Sequence, residues 1–492
     1  MKKIIFPQKF LQKYKQILPS KEFKKFITFS QKPLRKSIRV NTLKISIKNF
    51  QKIAQKKNWQ LTKIPWCNEG FWIERKNKDI PLGKTPEHSL GLFFIQEASS
   101  MIPSQILFWK NEFKKDQKIL DLCAAPGAKT TQIASLMQNN NLLFANEFSA
   151  SRIKKLAFNL TKCAVENCLL YHKNSYFFEK NFPENFDKIL VDAPCTGEGT
   201  IRKDKNALKN WNQKKINLSA SLQKEILFSA FKALKENGEL VYSTCTLSPE
   251  ENEEIITELL KNFPQASLID LSKFLKNSPA LEKFKEKKFN HKIAQKCLRI
   301  WPHLFDSEGF FIAKIKKDIS LNIPLKTKKK KEKNHKKRFQ KISTSVFKTL
   351  EIFLKENFYF EIKEIKERLF QNNEKIFLFP QNFNNDNFKD FDKIGILLAS
   401  IYPKEIKLSH QTALCLGKFF SGNRIINLSN KEMKKYFLGF DLEKENFLSL
   451  KKIKKGQVLL LYQNFPLGWG KIINEKIKNL LPKNFVQEVV NL

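Results

Sequence analysis

Between residues 116 and 317 two hydrophobic periods alternate along the chain. KILDLC (118–123), LLFANE (142–147), FDKILVDAPC (186–195) and GELVYSTC (238–245) are short apolar runs that end in turn residues, the signature of buried strands. Between them, TTQIASLMQ, the stretch Ser149–Val165 and LSASLQKEILFSAFKAL (218–234) carry apolar residues at helical spacing. Ser248-Pro249-Glu250-Glu251 has the residues of a helix start, with Ser as N-cap, Pro at the first helical position and Glu at the third. GFFIAKIKK (309–317) closes the region as a strand. This alternation predicts an α/β fold with a mainly parallel, doubly wound sheet.

The flanking segments follow other patterns. Residues 1–115 predict an α+β module. Within it KPLRKSIRVNTLK (32–44) is basic and runs into alternating Ile38, Val40 and Leu43, as a strand would. Its cations have two possible uses: Arg35, Arg39 and Lys44 lie near phosphate, or the strand is a solvated edge guarded by lysine. KTKKKKEKNHKKR (326–338) predicts a disordered linker or a non-specific RNA tether within 318–339. The remainder, 340–492, reads as a separate region with a helical stretch, a strand-like EKIFLFP (374–380) and a hairpin at GQVLLLYQNFPLGWGK (456–471). No internal repeat is visible.

A length of 492 residues calls for two to four domains, and a hydrophobic content of 41% is ample for globular folding. No apolar run reaches the length of a membrane span, and lysines interrupt the N-terminal MKKIIFPQKFLQKYKQ, so a cytoplasmic protein is expected. The 8 cysteines include no C-x-x-C and the 6 histidines no H-x-x-x-H, which disfavours a zinc site and a disulfide framework and leaves packing and catalysis as uses for the thiols. A net charge of +42 favours a polyanionic partner, with nucleic acid first. Lys, Asn, Ile and Phe are enriched together, as AT-rich coding produces, so the sign of the charge carries more weight than its size.

Three segments carry chemistry. DLCAAPGAKTTQ (121–132) joins a strand to a helix through a glycine turn, where a ligand can approach the backbone at a helix N-terminus. It is not a P-loop: Ala128 precedes Lys129, and Cys123 stands where the first glycine belongs. Glu147 follows Gly127 at the end of the next strand, where an acid can accept hydrogen bonds from both ribose hydroxyls of a nucleoside. VDAPCTGEGT (191–200) and YSTCTLSPEENE (242–253) each put a cysteine at the carboxyl end of a parallel strand, where open α/β sheets bind ligands. Adjacent strands lie about 4.8 Å apart, so Cys195 and Cys245 can face one pocket beside Asp192. A single such cysteine is more often a small buried hydrophobe; the pair at strand ends points to catalysis.

Asp192-Ala193-Pro194-Cys195, Ser243-Thr244-Cys245 and the Cys123–Thr130 segment resemble the Nol1/Nop2/Sun RNA cytosine-5 methyltransferases. The likeness extends through Gln96–Met101, Ala145–Arg152, Glu198–Lys203, Ala207–Trp211 and Asp306–Ala313, and resumes loosely near Ile394–Leu416 and Gly456–Lys471. It implies a Rossmann-like S-adenosylmethionine-dependent methyltransferase sheet over 116–317, an N-terminal α+β RNA-binding module over 1–115, and a C-terminal α+β RNA-binding region over 340–492 that includes a PUA-like module. The implied activity is methylation of carbon 5 of a cytosine in 16S ribosomal RNA. A transfer RNA methyltransferase and a non-catalytic assembly factor are the alternatives.

By the same resemblance Cys245 is the nucleophile, Asp192 holds the base near N3, Cys195 helps remove the proton at carbon 5, and Lys129 contacts the acid or the thiolate. A purely structural salt bridge to Asp192 is the other role open to Lys129. Related DNA enzymes attack with the Pro-Cys cysteine, so spacing alone leaves the attacking thiol open. S-adenosylmethionine is expected on Cys123, Ala124, Ala125, Pro126, Gly127, Ala128 and Lys129, with Glu147 at the ribose, Asn174 in place of the family's adenine-side Asp, and Asp192 alongside. Ala128 replaces a common second glycine and fits where φ stays negative. The implied partner is 16S ribosomal RNA in the assembled small subunit, bound by a monomer without metal or membrane, with Arg35, Arg39, Lys44, 326–338 and the C-terminal region as anchors.

Overall fold

The computed structural model describes residues 4–110, 115–323, 339–383, 390–403 and 405–486; the basic run 326–338 lies outside them. Helices α1 (Gln8–Ile17) and α2 (Ser20–Ser30) precede an antiparallel sheet of β1 (Ser37–Val40), β2 (Trp59–Lys63), β3 (Gly70–Arg75) and β4 (Phe93–Ile95), in the order β2-β3-β1-β4. The central sheet follows. Its parallel strands β5 (Lys118–Asp121), β6 (Leu142–Asn146), β7 (Cys168–Tyr171), β8 (Phe186–Asp192) and β9 (Leu234–Thr244) lie in the order β9-β8-β5-β6-β7. The strand Phe310–Lys317 runs antiparallel between β9 and β10 (Ala266–Ile269).

The central strands read as apolar runs because both faces are covered. Successive side chains point to opposite faces. Leu120, Phe144, Ile189 and Tyr242 therefore pack with Leu227 and Phe231 of the helix Gln213–Ala233. Their neighbours Ile119, Leu143, Leu190 and Val241 pack with Ile106 and Ile133 on the other face. β5 pairs with β6 on one side and β8 on the other, so the chain reverses its winding there. The loop leaving β5 thus opens into a crevice at the carboxyl ends of the strands.

The C-terminal hairpin forms as expected, Gly456–Tyr462 against Phe465–Ile473. Its turn residues Gln463 and Asn464 have φ of 50° and 65°, the left-handed pair that a two-residue hairpin turn requires. A short strand from the C-terminal region, Lys393–Ile394, pairs with Leu169–Leu170 of β7 and covers that edge of the central sheet. Ile38, Val40 and Phe93 of the N-terminal sheet share one core with Ile426, Tyr436 and Val458 of the C-terminal region. No helix among the described residues is long and apolar enough to cross a membrane.

The basic strand at 37–40 is present, but neither use expected of Arg39 and Lys44 holds. β1 is interior, flanked by β3 and β4, and not an edge. Arg39 is only 2% exposed; its guanidinium donates to the Gln96 side chain, to the Ala128 carbonyl at 2.6 Å and to Thr131 Oγ1 at 2.8 Å. Lys44 donates to the Leu90 carbonyl at 2.8 Å, and burial pulls its ammonium down to about 8. A charged arm tolerates burial when buried acceptors meet most of its donors; those of Arg39 are met except at Nε, which has no partner among the described residues. Arg39 holds the N-terminal module to the start of the helix Ala128–Leu136, while the Lys44 bond stays within the module. Arg35 alone stays at the surface, stacked 4.4 Å over Trp72 beside a cleft of about 470 Å³. Arg39→Met should therefore lower the unfolding free energy by about 2–4 kcal/mol in a denaturant titration, because it leaves buried acceptors unpaired. The salt dependence of RNA binding should not change; a phosphate contact would instead reduce that slope.

Candidate active site

The first half of the site is the turn after β5. Gly127 has φ of 106°, a conformation that strains any other residue, and a Cβ there would lie 3.1 Å from Leu156 Cδ1. Ala128 opens the helix Ala128–Leu136 and keeps a negative φ, so the exchange of a second glycine for alanine is accommodated. The turn is braced on the end of β6: Ala124 N donates to Asn146 O at 2.8 Å, and Asn146 Nδ2 donates to Leu122 O at 3.1 Å. Glu147 is buried under it. Its carboxylate accepts from Ala125 N at 3.3 Å and Ser149 N at 2.8 Å, with the Arg152 guanidinium 3.6 Å away.

Asp121 was not singled out by the spacing of motifs, although it is the carboxylate on which β5 ends. It is fully buried. Oδ2 accepts from Thr130 Oγ1 at 2.7 Å, while Oδ1 has no hydrogen-bond partner among the described residues. Burial pushes its carboxyl up to about 7, the nearby Asp192 and Glu147 push the same way, and Thr130 and Lys129 oppose them. Asn174 stands at an exposed position, its Oδ1 accepting from Phe177 N at 3.0 Å at the start of the helix Tyr176–Asn181. Three carboxylates, Asp121, Asp192 and Glu147, thus gather around Cys123, and one buried oxygen lacks a donor. That donor set fits a cofactor with cationic and hydroxyl groups.

The second half sits on β8 and β9. Their register puts Asp192 opposite Ser243, which brings the two following loops together. Cys195 Sγ and Cys245 Sγ are 3.4 Å apart, and both residues are partly accessible. The hydrogen bond to Cys245, then burial, holds the Cys195 thiol well above its ordinary range. Lys129 reaches across from the helix after the turn and donates to Asp192 Oδ2 at 2.7 Å and Ser100 Oγ at 3.0 Å. Ser243 Oγ donates to Asp192 Oδ1 at 2.9 Å. The turn, the acid and the two thiols therefore form one constellation, and Lys129 is the link between its halves.

The helix expected to open at Ser248 does not begin there. Pro249–Glu251 is a single 3₁₀ turn, and the α-helix starts at Glu253. Ser248 Oγ does not cap it. It donates to Glu198 Oε1 at 2.9 Å and accepts from Lys13 Nζ of α1 at 2.8 Å. Glu198 also accepts from Tyr14 and Trp211. A buried carboxylate requires donors, and supplying them outweighs a helix cap at this position. Helix α1 thereby packs behind both cysteine loops. No local sequence signal marks this network, because its partners come from residues 13, 14, 198, 211 and 248.

Comparison with known proteins agrees with this geometry. The family model described as 16S rRNA methyltransferase RsmB/F matches residues 110–316. The models for the N-terminal domain of 16S rRNA methyltransferase RsmF and the methyltransferase RsmF PUA domain match residues 6–98 and 423–487. Ribosomal RNA small subunit methyltransferase F of Vibrio vulnificus is 41% identical over 99% of this chain and 98% of its own length. The protein of the same name from Aeromonas salmonicida is 40% identical over 98% and 97%. The crystal structure of a methyltransferase homolog protein from Pyrococcus horikoshii superposes with a TM-score of 0.55 at 36% identity, covering 64% of this chain and 96% of that one. With relatives so similar along almost its entire length, the chain belongs to the 16S rRNA methyltransferase RsmB/F family.

Proposed function

We propose that the chain methylates carbon 5 of a cytosine in 16S ribosomal RNA, using S-adenosylmethionine and a covalent adduct to Cys245. The observation that carries this reading is the pair of sulfurs 3.4 Å apart beside the Lys129–Asp192 ion pair. Carbon 5 of cytosine is a poor nucleophile. A thiolate that adds to carbon 6 creates an enamine, and carbon 5 then becomes nucleophilic. When bound, S-adenosylmethionine supplies the electrophilic methyl group.

The hydrogen bond between the thiols, and the strong hold on the Cys195 proton, support Cys245 as the attacking sulfur. Once Cys245 Sγ is bonded to carbon 6, Cys195 loses the thiol partner that contributes most to holding its proton, while burial and Glu251 still act on it. Its thiol then passes its proton to solvent water, and the thiolate takes the proton from methylated carbon 5. The bond from carbon 6 to Cys245 breaks, and its electron pair returns to that sulfur. Asp192, fixed by Lys129 and Ser243, hydrogen-bonds the base near N3 as charge develops. For the cofactor, residues 123–129 receive the methionine part, Glu147 the ribose hydroxyls and Asn174 the adenine side. Asp121 Oδ1, which has no protein donor, takes the ammonium.

The RNA assignment rests on the names of the relatives, the match at 423–487 to an RsmF PUA domain and the net charge of +42. The target base must leave its stack to reach the strand ends, and the assembled small subunit is the expected substrate.

Bisulfite sequencing of ribosomal RNA from cells with and without the gene should differ at one cytosine or a few; identical maps would rule the activity out. Cys195→Ala should accumulate an RNA adduct stable in denaturing gels, whereas Cys245→Ala should form none. An adduct from the second variant alone would transfer the nucleophile to residue 195. Asp121 gives a pH signature. Its carboxyl ionises near 3.8 when unfolded and near 7 when folded, so its contribution to stability is complete below 3.8 and is lost as the pH rises through 7. Asp121→Asn should therefore gain in Tm on the native protein across that window. Calorimetry of S-adenosylhomocysteine binding should show affinity rising as the pH approaches 7 in the native protein and staying flat in the variant.

A further inference from the structure

Resting on the catalytic reading above, we infer that Glu251 is a positioning residue that fixes the separation of the two thiols through the threonines that follow them. Thr196 comes directly after Cys195, and Thr246 directly after Cys245. Their hydroxyls are 3.2 Å apart and both donate to one oxygen, Glu251 Oε2, the Thr246 bond at 3.1 Å. The other oxygen, Oε1, accepts from Thr196 N at 2.9 Å and from Gln223 Nε2 at 2.9 Å. The same Gln223 amide donates to Pro194 O at 2.8 Å, so the main chain is held on both sides of Cys195. Tyr242 OH donates to Glu251 O at 2.7 Å and secures the residue that holds the loops.

The thiols cannot set this geometry themselves, because a sulfhydryl is a weak donor and sulfur a weak acceptor. Main-chain bonds join the two chains two residues before Cys195 and four beyond it, Ala193 N to Ser243 O and Gly199 N to Cys245 O, both at 2.9 Å; the stretch between them carries Cys195 and Thr196, and there Glu251 supplies the hold. Glu251 is fully buried, and burial pushes its carboxyl up to about 6. An acid is expensive to keep in such a place. Three hydrogen bonds from the two cysteine loops, and a fourth from Gln223, account for its presence. Glu251 has no part in the adduct chemistry; it acts through Thr196 and Thr246. A small displacement of a reacting group is enough to slow catalysis by orders of magnitude, so the hold on Cys195 should matter most in the step that needs both sulfurs, the resolution of the adduct.

The test uses the full chain and Glu251→Gln. At saturating RNA its kcat should fall about tenfold to a hundredfold, with KM for RNA within about twofold of the native value. Single-turnover analysis should show adduct that forms and then persists. Thr196→Val should do the same and Thr196→Ser should restore turnover, which keeps the proposal open to refutation if the glutamine variant misfolds.

A second readout is independent of methylation. Diamide takes two protons and two electrons from the two thiols, becoming the hydrazine as the disulfide forms. The Cys195–Cys245 peptide, quantified by mass spectrometry, should appear quickly in the native protein and about tenfold more slowly in Glu251→Gln. Unchanged cross-linking and unchanged kcat in the variant would overturn the proposal. So would a raised KM with a lowered Tm and equal slowing of both steps, which marks general damage. If the native protein neither methylates nor forms an adduct, yet the variant cross-links slowly, the positioning stands and the catalytic reading fails.

Discussion

The parallel register of β8 and β9 governs the rest of the site. Asp192 lies opposite Ser243, so the chain leaves both strands at the same height and the next few residues of each must share one crevice. From that pairing follow the sulfur contact at 3.4 Å, the hydrogen bond from Ser243 to Asp192 and the bonds of Thr196 and Thr246 to a common carboxylate. A slip of one residue would turn Asp192 to the opposite face and break all of them together. Both strands are buried on both faces, so such a slip would also move core side chains out of the packing they fit.

Around this register the protein holds several buried charges. Arg299 and Glu253 form a fully buried pair at 2.5 Å, and Arg299 also donates to the Leu247 carbonyl at 2.7 Å. Glu198 and Glu251 take donors from α1, from both cysteine loops and from the helix Gln213–Ala233. Buried pairs of this kind add little net stability over apolar packing, but breaking one partner is severe. Their effect here is geometric. Each joins segments distant in sequence at a fixed distance, and the segments so joined carry the acid and the thiols. The basic character of the chain is thus divided between surface lysines and cations such as Arg39 and Lys44, which serve as internal ties.

The flanking regions complete the catalytic sheet instead of hanging from it. Arg39 fixes the N-terminal sheet to the first turn of the helix that carries Lys129, and Ser100 contacts Lys129 directly. Lys393–Ile394 closes the free edge of β7, and the N-terminal sheet shares a core with the sheet built on the C-terminal hairpin.

Strand–helix alternation, the glycine turn at 127 and two cysteines at strand ends are written in the sequence, because burial imposes local periodicity and a tight turn imposes residue type. These features point to the carboxyl ends of the strands as the place of the crevice. The sequence could not say that β1 is interior, since a basic strand reads alike at an edge or within a sheet until its neighbours are known. Nor could it say that Ser248 serves Glu198 instead of capping a helix, or that Asp121 keeps an oxygen without a donor. Local pattern reports what a residue does to its own segment. The partners of a buried polar group come from anywhere in the chain, and only the folded packing selects them.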